Sequence, residues 1–379
     1  MKILLIGEYS NLHNSLKKGL LNLGHEVILL GSGDGFKKYD VDILIKSTIF
    51  ENKFLKIIAK IIDKIFKFSL NELEIYFKSK KIIKNLADFD IVQLINEKPF
   101  NTSANLEISL LNYIFKNNRK VFLLACGVDN KSVSYANDKK FRYSILTPYF
   151  ENNSLKKEYR HILKYLNSDH IKLSIFIKQN IKGIISSDLD YHIPYSNSKK
   201  YIGMIPNPID IDNLNDDDNS VKKKIVILHT INSKNKLKKG NKFFEKSLSI
   251  IEAKYSNQIK IIRKIDQAYP DHLKNVKNCD ILLDQVYAYD QGYNALEAMA
   301  MGKVVFTGAE KEWREHYNIV EDYVVINAMP DISYLVKKLS WLIENPEKIK
   351  MISKNAREFI LKYHNYKIIT KKYLKAWGN

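Results

Sequence analysis

Short apolar runs alternate with longer segments of helical periodicity along the chain. The runs are rich in Ile, Val and Leu, which is typical of strands buried on both faces of a parallel sheet. In the first half the predicted strands are Lys2–Gly7, His25–Leu30, Asp90–Ile95, Lys120–Ala125 and Lys182–Ser186. In the second half they are Val221–Thr230, Ile259–Ile262, Ile281–Leu283, Lys303–Thr307 and Tyr323–Ile326, with Trp313–His316 also continuing the sheet. The alternation predicts an α/β protein.

The segments between these runs have apolar residues at helical spacing and carry capping residues at their ends. Gly24 is expected to end the first helix, and an Asn is expected to cap the helix before Asn117. The predicted helices are Leu12–Leu23, Asn105–Asn117, Asn241–Lys254, Asp271–Asn278, one that opens near Tyr293, Ile332–Glu344, Pro346–Tyr363 and Tyr366–Trp377.

A polar run interrupts the pattern near the middle of the chain. Pro206 and Pro208 exclude regular structure there, and Asp212–Ser220 contains no apolar anchor apart from Leu214. We therefore predict a linker and two domains, with boundaries at 1–210 and 221–365, followed by a terminal helix at 366–379.

Lys53–Phe68 differs from the other helical segments. Its lysines fall on one narrow stripe, and its apolar residues cover about half of the circumference. The lysines are Lys53, Lys56, Lys60, Lys64 and Lys67, and the apolar face includes Phe54, Ile58 and Phe66. This pattern suits a helix lying in the plane of an anionic membrane surface, but an ordinary helix docked between sheet and solvent remains the alternative.

Composition limits the class of protein. The chain has 379 residues, of which 45% are hydrophobic and 27% charged, and this suits a folded protein of two domains. The net charge is +19, yet the lysines are interleaved with acidic residues, so charge alone does not indicate nucleic-acid binding. It does favour anionic partners such as phosphates, nucleotides or a membrane face.

The chain carries no recognisable export or membrane-spanning segment. Its first apolar run stops at Gly7, too early for a signal peptide, and no apolar stretch is long enough to span a bilayer. Cys126 and Cys279 lie far apart in apolar runs, as free thiols do in a reducing compartment. We expect a cytoplasmic protein, with a peripheral position on the inner face of the cell membrane as an open alternative.

Several kinds of catalytic site are excluded by the absence of their motifs. The chain has no H-E-x-x-H, paired C-x-x-C, P-loop or G-x-S-x-G. The first strand lacks a G-x-G-x-x-G, so a dinucleotide cofactor is not expected. No D-x-D lies between apolar strands, and we expect neither a metal ion nor another cofactor.

The strongest candidate site is the segment Cys279–Thr307. It is predicted to form a strand, a polar loop, a helix and a second strand, which is an arrangement that binds phosphorylated ligands in α/β folds. Gly292 would allow close approach of the backbone. Asn294 is a predicted N-cap, with Glu297 completing a capping box.

The sequence LEAMAMGKVVF at 296–306, with Gly292 five residues before its Glu, resembles the donor-site signature of GT-B glycosyltransferases of the family 4 type. The resemblance implies two Rossmann-like domains whose sheets face a central cleft. It also implies a retaining, nucleotide-sugar-dependent reaction in which Glu297 binds the donor ribose. Tyr289 stands where the family has a sugar-contacting Glu, and Asp284 or Asp290 would have to supply that carboxylate.

The resemblance places further donor contacts in the loop after the strand that ends at Thr230. Lys239 matches the family's diphosphate-binding Lys, and the partner Arg position falls on Ser233, next to Lys234. His229 ends the strand and is expected to line the same pocket. The predicted donor site comprises Lys239, Glu297, Gly292, Tyr293, Asn294, His229, Lys234 and Asp290.

In the first domain the resemblance directs the loop after the first strand toward the acceptor and the donor phosphates. The polar residues available there are Ser10, Asn11 and His13, and Asp129 follows a later strand. Cys126 replaces a family His and does not inherit its role. The terminal helix would cross back onto this domain, as in the GT-B fold.

The sequence therefore leaves two main functions open. One is a retaining glycosyltransferase that uses a nucleotide-sugar donor and a lipid-linked or glycan acceptor in bacterial polysaccharide biosynthesis. The other is a non-catalytic GT-B relative that acts as a binding or scaffolding subunit; a GT-B epimerase is a more distant third. No residue is assigned as catalytic, and no nucleic-acid partner is expected.

Overall fold

The computed structural model describes residues 1–34, 39–66, 69–214 and 223–378. Its strands are β1 Lys2–Ile6, β2 Glu26–Gly31, β3 Ile43–Leu44, β4 Ile91–Leu94, β5 Lys120–Ala125, β6 Gly183–Ser186, β7 Tyr201–Met204, β8 Ile225–Ile231, β9 Ile259–Ile265, β10 Ile281–Leu283, β11 Val304–Thr307 and β12 Ile326–Asn327.

The α-helices lie between and around these strands. They are α1 Leu12–Asn22, α2 Lys53–Phe66, α3 Leu70–Ile83, α4 Ala104–Asn117, α5 Asn130–Asn137, α6 Thr147–Glu151, α7 Lys156–Leu163, α8 Ser168–Asn180, α9 Leu189–Tyr195, α10 Asn241–Tyr255, α11 Tyr269–Lys277, α12 Tyr293–Ala300, α13 Lys311–Tyr317, α14 Ile332–Glu344, α15 Pro346–Tyr363 and α16 Tyr366–Gly378.

The amino-terminal sheet has the strand order β3-β2-β1-β4-β5-β6-β7, and all of its pairs are parallel. Leu4 in the central strand pairs with Ile28 on one side and Val92 on the other. Residues 3–6 are completely buried, because helices cover both faces of the sheet. That double burial explains why these strands are continuous apolar runs in the sequence.

The carboxy-terminal sheet has the order β12-β11-β10-β8-β9 and is also parallel throughout. Ile281 in β10 pairs with Ile227 and Val304. Ala298 and Met299 of α12 are fully buried in a cluster with Val305, so the small residues of this helix let it pack closely on the sheet. The two parallel sheets confirm the predicted α/β class.

The terminal helix α16 leaves the second sheet and packs against α1. A methyl group at Gly19 of α1 would lie 2.0 Å from Thr370 Oγ1, so only glycine permits this approach. Trp377 Nε1 donates to Gln93 Oε1 at 3.1 Å. The chain thus ends on the amino-terminal sheet.

The structure corrects three local predictions and leaves a fourth, the linker, largely untested. Residues 311–317 form helix α13 and do not extend the sheet, and only Ile326–Asn327 of the strand predicted near Tyr323 is regular. Ser103, and no Asn, precedes α4, and its side chain makes no cap hydrogen bond. Most of the predicted linker, 215–220, lies outside the described residues.

Candidate functional site

The carboxyl end of β10 leads directly into the candidate site. Asp284 follows the strand, and the loop from 285 to 292 returns to α12, whose N-cap is Gly292 in an extended conformation. The first backbone N–H groups of α12 therefore point toward the same edge of the sheet as Asp284. This is the edge at which parallel α/β sheets bind ligands.

Glu297 lies on the second turn of α12 and is 94% buried, with 6% of its surface exposed. The hydroxyl of Tyr269 donates to Glu297 Oε1 at 2.5 Å. Tyr269 in turn meets Tyr39 edge to face, with the ring centroids 5.5 Å apart. Because Tyr39 belongs to the amino-terminal domain, the carboxylate lies beneath an aromatic pair that both domains contribute.

The Asp284 carboxylate contacts three other side chains of the candidate site. Lys239 Nζ is 2.7 Å from Asp284 Oδ1, and Asn294 Nδ2 donates to the same oxygen at 2.8 Å. Thr307 Oγ1 donates to Asp284 Oδ2 at 3.3 Å. The Asp284 side chain is only 1% exposed whereas that of Lys239 is 27% exposed. Asp284 therefore holds the Lys239 ammonium group while part of the lysine side chain remains exposed.

The predicted capping box is wrong. Gly292, not Asn294, is the N-cap of α12, and Asn294 lies inside the helix. Its side-chain oxygen is 2.5 Å from His272 Nε2 while its amide group donates to Asp284. The polar side chain therefore bridges two neighbouring elements instead of closing the end of its own helix.

Tyr293 joins the two domains. Its hydroxyl donates to the carbonyl oxygen of Pro208 and is 3.4 Å from Ser15 Oγ of α1. Burial raises the pKa of Tyr293 well above its usual range, so this hydroxyl stays protonated as a donor. The residue predicted to bind the donor is thus occupied by a contact between domains.

A pair of buried aspartates forms a second contact between the domains. Asp290 Oδ2 accepts from the backbone N–H of Leu189 at 3.0 Å. Asp190 accepts reciprocally from the N–H groups of Tyr289 at 3.1 Å and Asp290 at 3.3 Å. Burial raises the pKa of Asp290 to about 6 and that of Asp190 to about 7. Asp290 is therefore committed to this contact and does not stand in for the missing glutamate.

This contact is expected to weaken as the pH rises. Both carboxyl groups have raised pKa values when the two domains are in contact. The stability that they give to this contact is therefore complete below about pH 4, the usual pKa of an aspartate, and is lost as the pH rises through about 6 and 7. The free energy of the contact between the domains changes by an amount on the order of a few kcal/mol over this range. Small-angle scattering should show a larger radius of gyration at pH 8 than at pH 5. The Asp190→Asn/Asp290→Asn variant should lose most of this dependence; an unchanged dependence in that variant would contradict the assignment.

Tyr289 occupies the position where the resembling family has a glutamate, and it anchors a segment of the other domain. Its hydroxyl oxygen accepts from the backbone N–H of Arg142 at 2.8 Å, and the Arg142 guanidinium lies 4.7 Å from its ring centroid. Arg142 also pairs with Glu310 at 2.7 Å and with Glu312 at 2.6 Å. The Tyr143 hydroxyl donates to Glu310 as well.

The remaining residues predicted to bind the sugar donor, His229 and Lys234, differ in solvent exposure. His229 is completely buried, 3.2 Å from Glu245 and 3.4 Å from Asn241, and burial lowers its pKa to about 4. It is a neutral side chain packed behind the pocket. Lys234 is exposed, and its backbone N–H donates to Asn232.

The predicted acceptor-side residues are mostly used within their own domain. His13 is buried, with Nδ1 2.7 Å from the Gly7 carbonyl and Nε2 3.2 Å from Gln93. Asp129 is the N-cap of α5 and accepts from Ser132 N–H at 2.7 Å. Ser10 donates its backbone N–H to Asp34, and Asn11 precedes α1 in a left-handed conformation.

Glu8 is a buried carboxylate that the sequence reasoning missed. It follows β1 at the carboxyl edge, and its Oε2 accepts from the backbone and side chain of Asn14 at 2.8 and 2.9 Å. Its Oε1 is buried without a partner, and burial raises the pKa of Glu8 to about 7. The position directly after an apolar strand was the signal that could have found it. Within the described ranges no cluster of three metal-ligating side chains occurs.

Comparison with known proteins agrees with this geometry. Residues 241–375 match the family described as "Glycosyl transferase-like". No curated protein sequence matches the chain. The matched residues are about a third of the chain, and they include Glu297 but not Lys239.

Solved structures resemble the whole chain. HepE from Anabaena, solved with UDP and glucose, has a TM-score of 0.60 and 12% identity and covers 100% of both chains. Sucrose-phosphate synthase from Thermosynechococcus elongatus has a TM-score of 0.59 at 10% identity, with 100% of this chain and 98% of that one covered. A glycosyltransferase from Rickettsia africae has a TM-score of 0.55 at 16% identity, with 99% and 97% covered. These likenesses confirm the GT-B fold, and the family match to residues 241–375 is the finding that indicates a glycosyltransferase.

Proposed function

We propose that this protein is a retaining, metal-independent glycosyltransferase that moves a sugar from a nucleotide-sugar donor to a lipid-linked or surface-glycan acceptor. The observation that supports it best is the position of two side chains at one edge of the second sheet: Glu297 lies on α12, and Lys239 contacts Asp284 directly after β10. A buried carboxylate accepts hydrogen bonds from ribose hydroxyls, and an ammonium group binds a diphosphate. HepE is described with UDP and with UDP-glucose, which supports the same donor class here.

Lys239 and the start of α12 provide the electrostatic part of the proposed chemistry. When the donor bond breaks, negative charge develops on the leaving diphosphate, and a fixed ammonium group stabilises it. Asp284 fixes the positions of Lys239 and Asn294, because it accepts a hydrogen bond from each side chain. A metal ion would duplicate this positive charge, which is why we propose a metal-independent reaction.

A direct test is titration with UDP-glucose and UDP, followed by an assay for slow hydrolysis of the donor sugar. We expect micromolar binding of both, detectable release of glucose, and rates that do not change when EDTA is added. Activity that vanishes with EDTA and returns with Mn²⁺ would contradict metal independence. No binding of any nucleotide sugar in a wider panel would contradict the function itself.

One observation favours a non-catalytic relative as a second candidate. Tyr289 replaces the family glutamate, and its hydroxyl is occupied by the backbone N–H of Arg142. The segment at 141–143 therefore covers the place where that carboxylate would meet a sugar. Nucleotide binding without turnover, both in the native protein and in Tyr289→Glu, would favour a binding subunit.

We also propose that α2 lies on an anionic membrane surface at the inner face of the cell membrane. Ile57, Ile58 and Ile61 are 59%, 40% and 51% exposed, whereas a helix docked on its own sheet would bury them. Lys56 is exposed on the same helix, and the exposed Ile49 lies in the short 3-10 segment that contacts it. Phe68 and Lys67 lie outside the described residues, as do the side chains of Lys53, Phe54, Lys60, Lys64 and Phe66. None of the helices in the described ranges is long and apolar enough to cross a membrane.

Vesicle sedimentation tests this surface. We expect binding to anionic vesicles that falls with salt, because each lysine near the surface contributes about 1 kcal/mol. Ile57→Asp/Ile61→Asp and Lys56→Glu/Lys60→Glu/Lys64→Glu should each leave most of the protein in the supernatant. Ile175→Asp, at a position of similar exposure on α8, is the matched control. Equal recovery of the native protein with and without anionic vesicles would rule out the membrane contact.

A further inference from the structure

The buried Glu297 carboxylate has a hydrogen-bond donor of its own at the place where the proposed function puts a ribose. The Tyr269 hydroxyl donates to Glu297 Oε1 at 2.5 Å. A buried carboxylate needs such a donor, because a charged group without a partner is costly to desolvate. Burial raises the pKa of Tyr269 well above its usual range, so this hydroxyl stays protonated. Tyr269 therefore makes, within the protein, the hydrogen bond that a ribose hydroxyl would make.

Tyr269 can turn away from this carboxylate without any movement of its helix. It is the first residue of α11, and its side chain is half-buried. The helix has a separate contact with α12, because His272 Nε2 lies 2.5 Å from Asn294 Oδ1. A change in the side-chain rotamer of Tyr269 is therefore enough to break its hydrogen bond to Glu297 Oε1.

One face of α12 connects this position with the proposed diphosphate site. Asn294 and Glu297 are three residues apart on the helix, so their side chains are neighbours on the same face. Asn294 Nδ2 donates to Asp284 Oδ1 at 2.8 Å, and Lys239 Nζ lies 2.7 Å from the same oxygen. A ligand whose diphosphate contacts Lys239 would thus have its nucleoside beside Glu297 and Tyr269.

A tyrosine of the amino-terminal domain lies against Tyr269. The rings of Tyr39 and Tyr269 meet edge to face, with their centroids 5.5 Å apart and their planes at 70°. Tyr39 is held by its own domain, because its backbone N–H donates to the Gly33 carbonyl oxygen at 2.9 Å. In the same loop, Asp34 accepts from the backbone N–H of Ser10 at 2.8 Å. Both rings are half-buried, so each keeps some surface that a ligand can contact.

The two rings suit a nucleoside, but only after they separate. Rings in edge-to-face contact leave no gap for a base, so a nucleoside reaches them when Tyr269 turns away from Glu297. Tyr39 then faces the nucleoside from one domain while Glu297 holds the ribose from the other. Base–aromatic stacking is favourable with every base, so this contact adds affinity without selecting the base.

We propose that Tyr269 and Tyr39 form the nucleoside subsite of the donor: the ribose replaces the Tyr269 hydroxyl on Glu297, and Tyr39 of the amino-terminal domain covers the nucleoside. The inference rests on the proposed function, since it takes the donor to be a nucleotide sugar. Donor binding then exchanges the contact between Tyr39 and Tyr269 for contacts with the ligand. The affinity for the donor is thereby coupled to the contact between the two domains.

Calorimetry with UDP tests the displacement through Tyr269→Phe. This variant keeps the ring and lacks the competing hydroxyl, so we expect it to bind UDP up to about tenfold more tightly than the native protein does. Without UDP its melting temperature should be lower, because Glu297 loses a donor, and UDP should raise that temperature by more than in the native protein. Tyr113→Phe, which removes a hydroxyl that donates to the Lys84 carbonyl oxygen, is the control. Unchanged or weaker UDP binding in Tyr269→Phe would overturn the displacement.

The role of Tyr39 is tested with UDP and with uridine. Tyr39→Ala should lower the affinity for both ligands by a similar factor, about tenfold, because the lost contact is with the nucleoside. Tyr39→Phe should keep most of the affinity, since the ring makes the contact. Tyr113→Ala, at a half-buried tyrosine of the same domain on α4, should change neither affinity. Uridine binding that is unchanged or tighter in Tyr39→Ala shows that this residue does not cover the nucleoside.

These measurements also separate the subsite from the proposed function. If UDP binds the native protein and its affinity depends on Glu297 but not on Tyr39 or Tyr269, the assignment of this subsite is wrong and the proposed function stands. If the native protein binds no nucleotide, both are wrong.

Discussion

Replacing Glu297 with alanine is expected to weaken UDP binding by about one to several orders of magnitude. Each hydrogen bond from a ribose hydroxyl to a carboxylate contributes about 1.5–3 kcal/mol, and about 1.4 kcal/mol corresponds to a factor of ten in affinity. The carboxylate is 94% buried, so water replaces it poorly when a ligand covers it. Calorimetry with UDP measures the loss.

The ligand provides the control for this experiment. The native protein should prefer UDP over 2′-deoxy-UDP, and the Glu297→Ala variant should bind the two with nearly equal affinity. Tyr269→Phe removes the hydroxyl that donates to Glu297 but leaves the carboxylate, so it should keep most of the preference for ribose. Unchanged UDP affinity in Glu297→Ala would remove this residue from the donor site.

Lys239→Met is expected to reduce the affinity for UDP far more than the affinity for uridine. The Lys239 side chain is 27% exposed while Asp284 holds its ammonium group, so a diphosphate can still contact it. The substitution also leaves the buried Asp284 carboxylate without its cation, which should cost about 1–3 kcal/mol of folding stability. Urea unfolding and calorimetry measure the two effects separately.

The double variant Lys239→Met/Asp284→Asn distinguishes the roles of this lysine. Asparagine keeps the shape of Asp284 and removes its charge, so most of the stability should return. UDP affinity should remain low, because the positive charge that binds the diphosphate is still missing. If the double variant bound UDP as well as the native protein, Lys239 would serve only to neutralise Asp284.

Much of the fold could be predicted from the sequence because the relevant forces are local. A strand buried on both faces must be a continuous apolar run, so β1, β4, β5 and β10 are visible without any tertiary information. Glycine and small residues around α12 predicted the turn before this helix for the same reason, since close backbone approach excludes larger side chains. The family match to residues 241–375 covers this part of the chain.

The roles of the polar residues were predicted less well, because a side chain can have several partners and sequence spacing does not choose among them. Asn294 was expected to cap its own helix, but it contacts His272 and Asp284. His13 was expected to face the cleft, but it is buried beside Gln93, which also holds the terminal Trp377. In each case a neighbour distant in the sequence offered the better hydrogen bond.

The sequence by itself determined two parallel α/β sheets and the turn before α12, since these depend on burial and backbone geometry over short stretches. Only the tertiary structure decided that Tyr289 supports Arg142 and that Asp190 and Asp290 join the domains. These contacts bring together groups far apart in the chain, and their energies arise from desolvation and charge at short range, which exist only after the chain has folded.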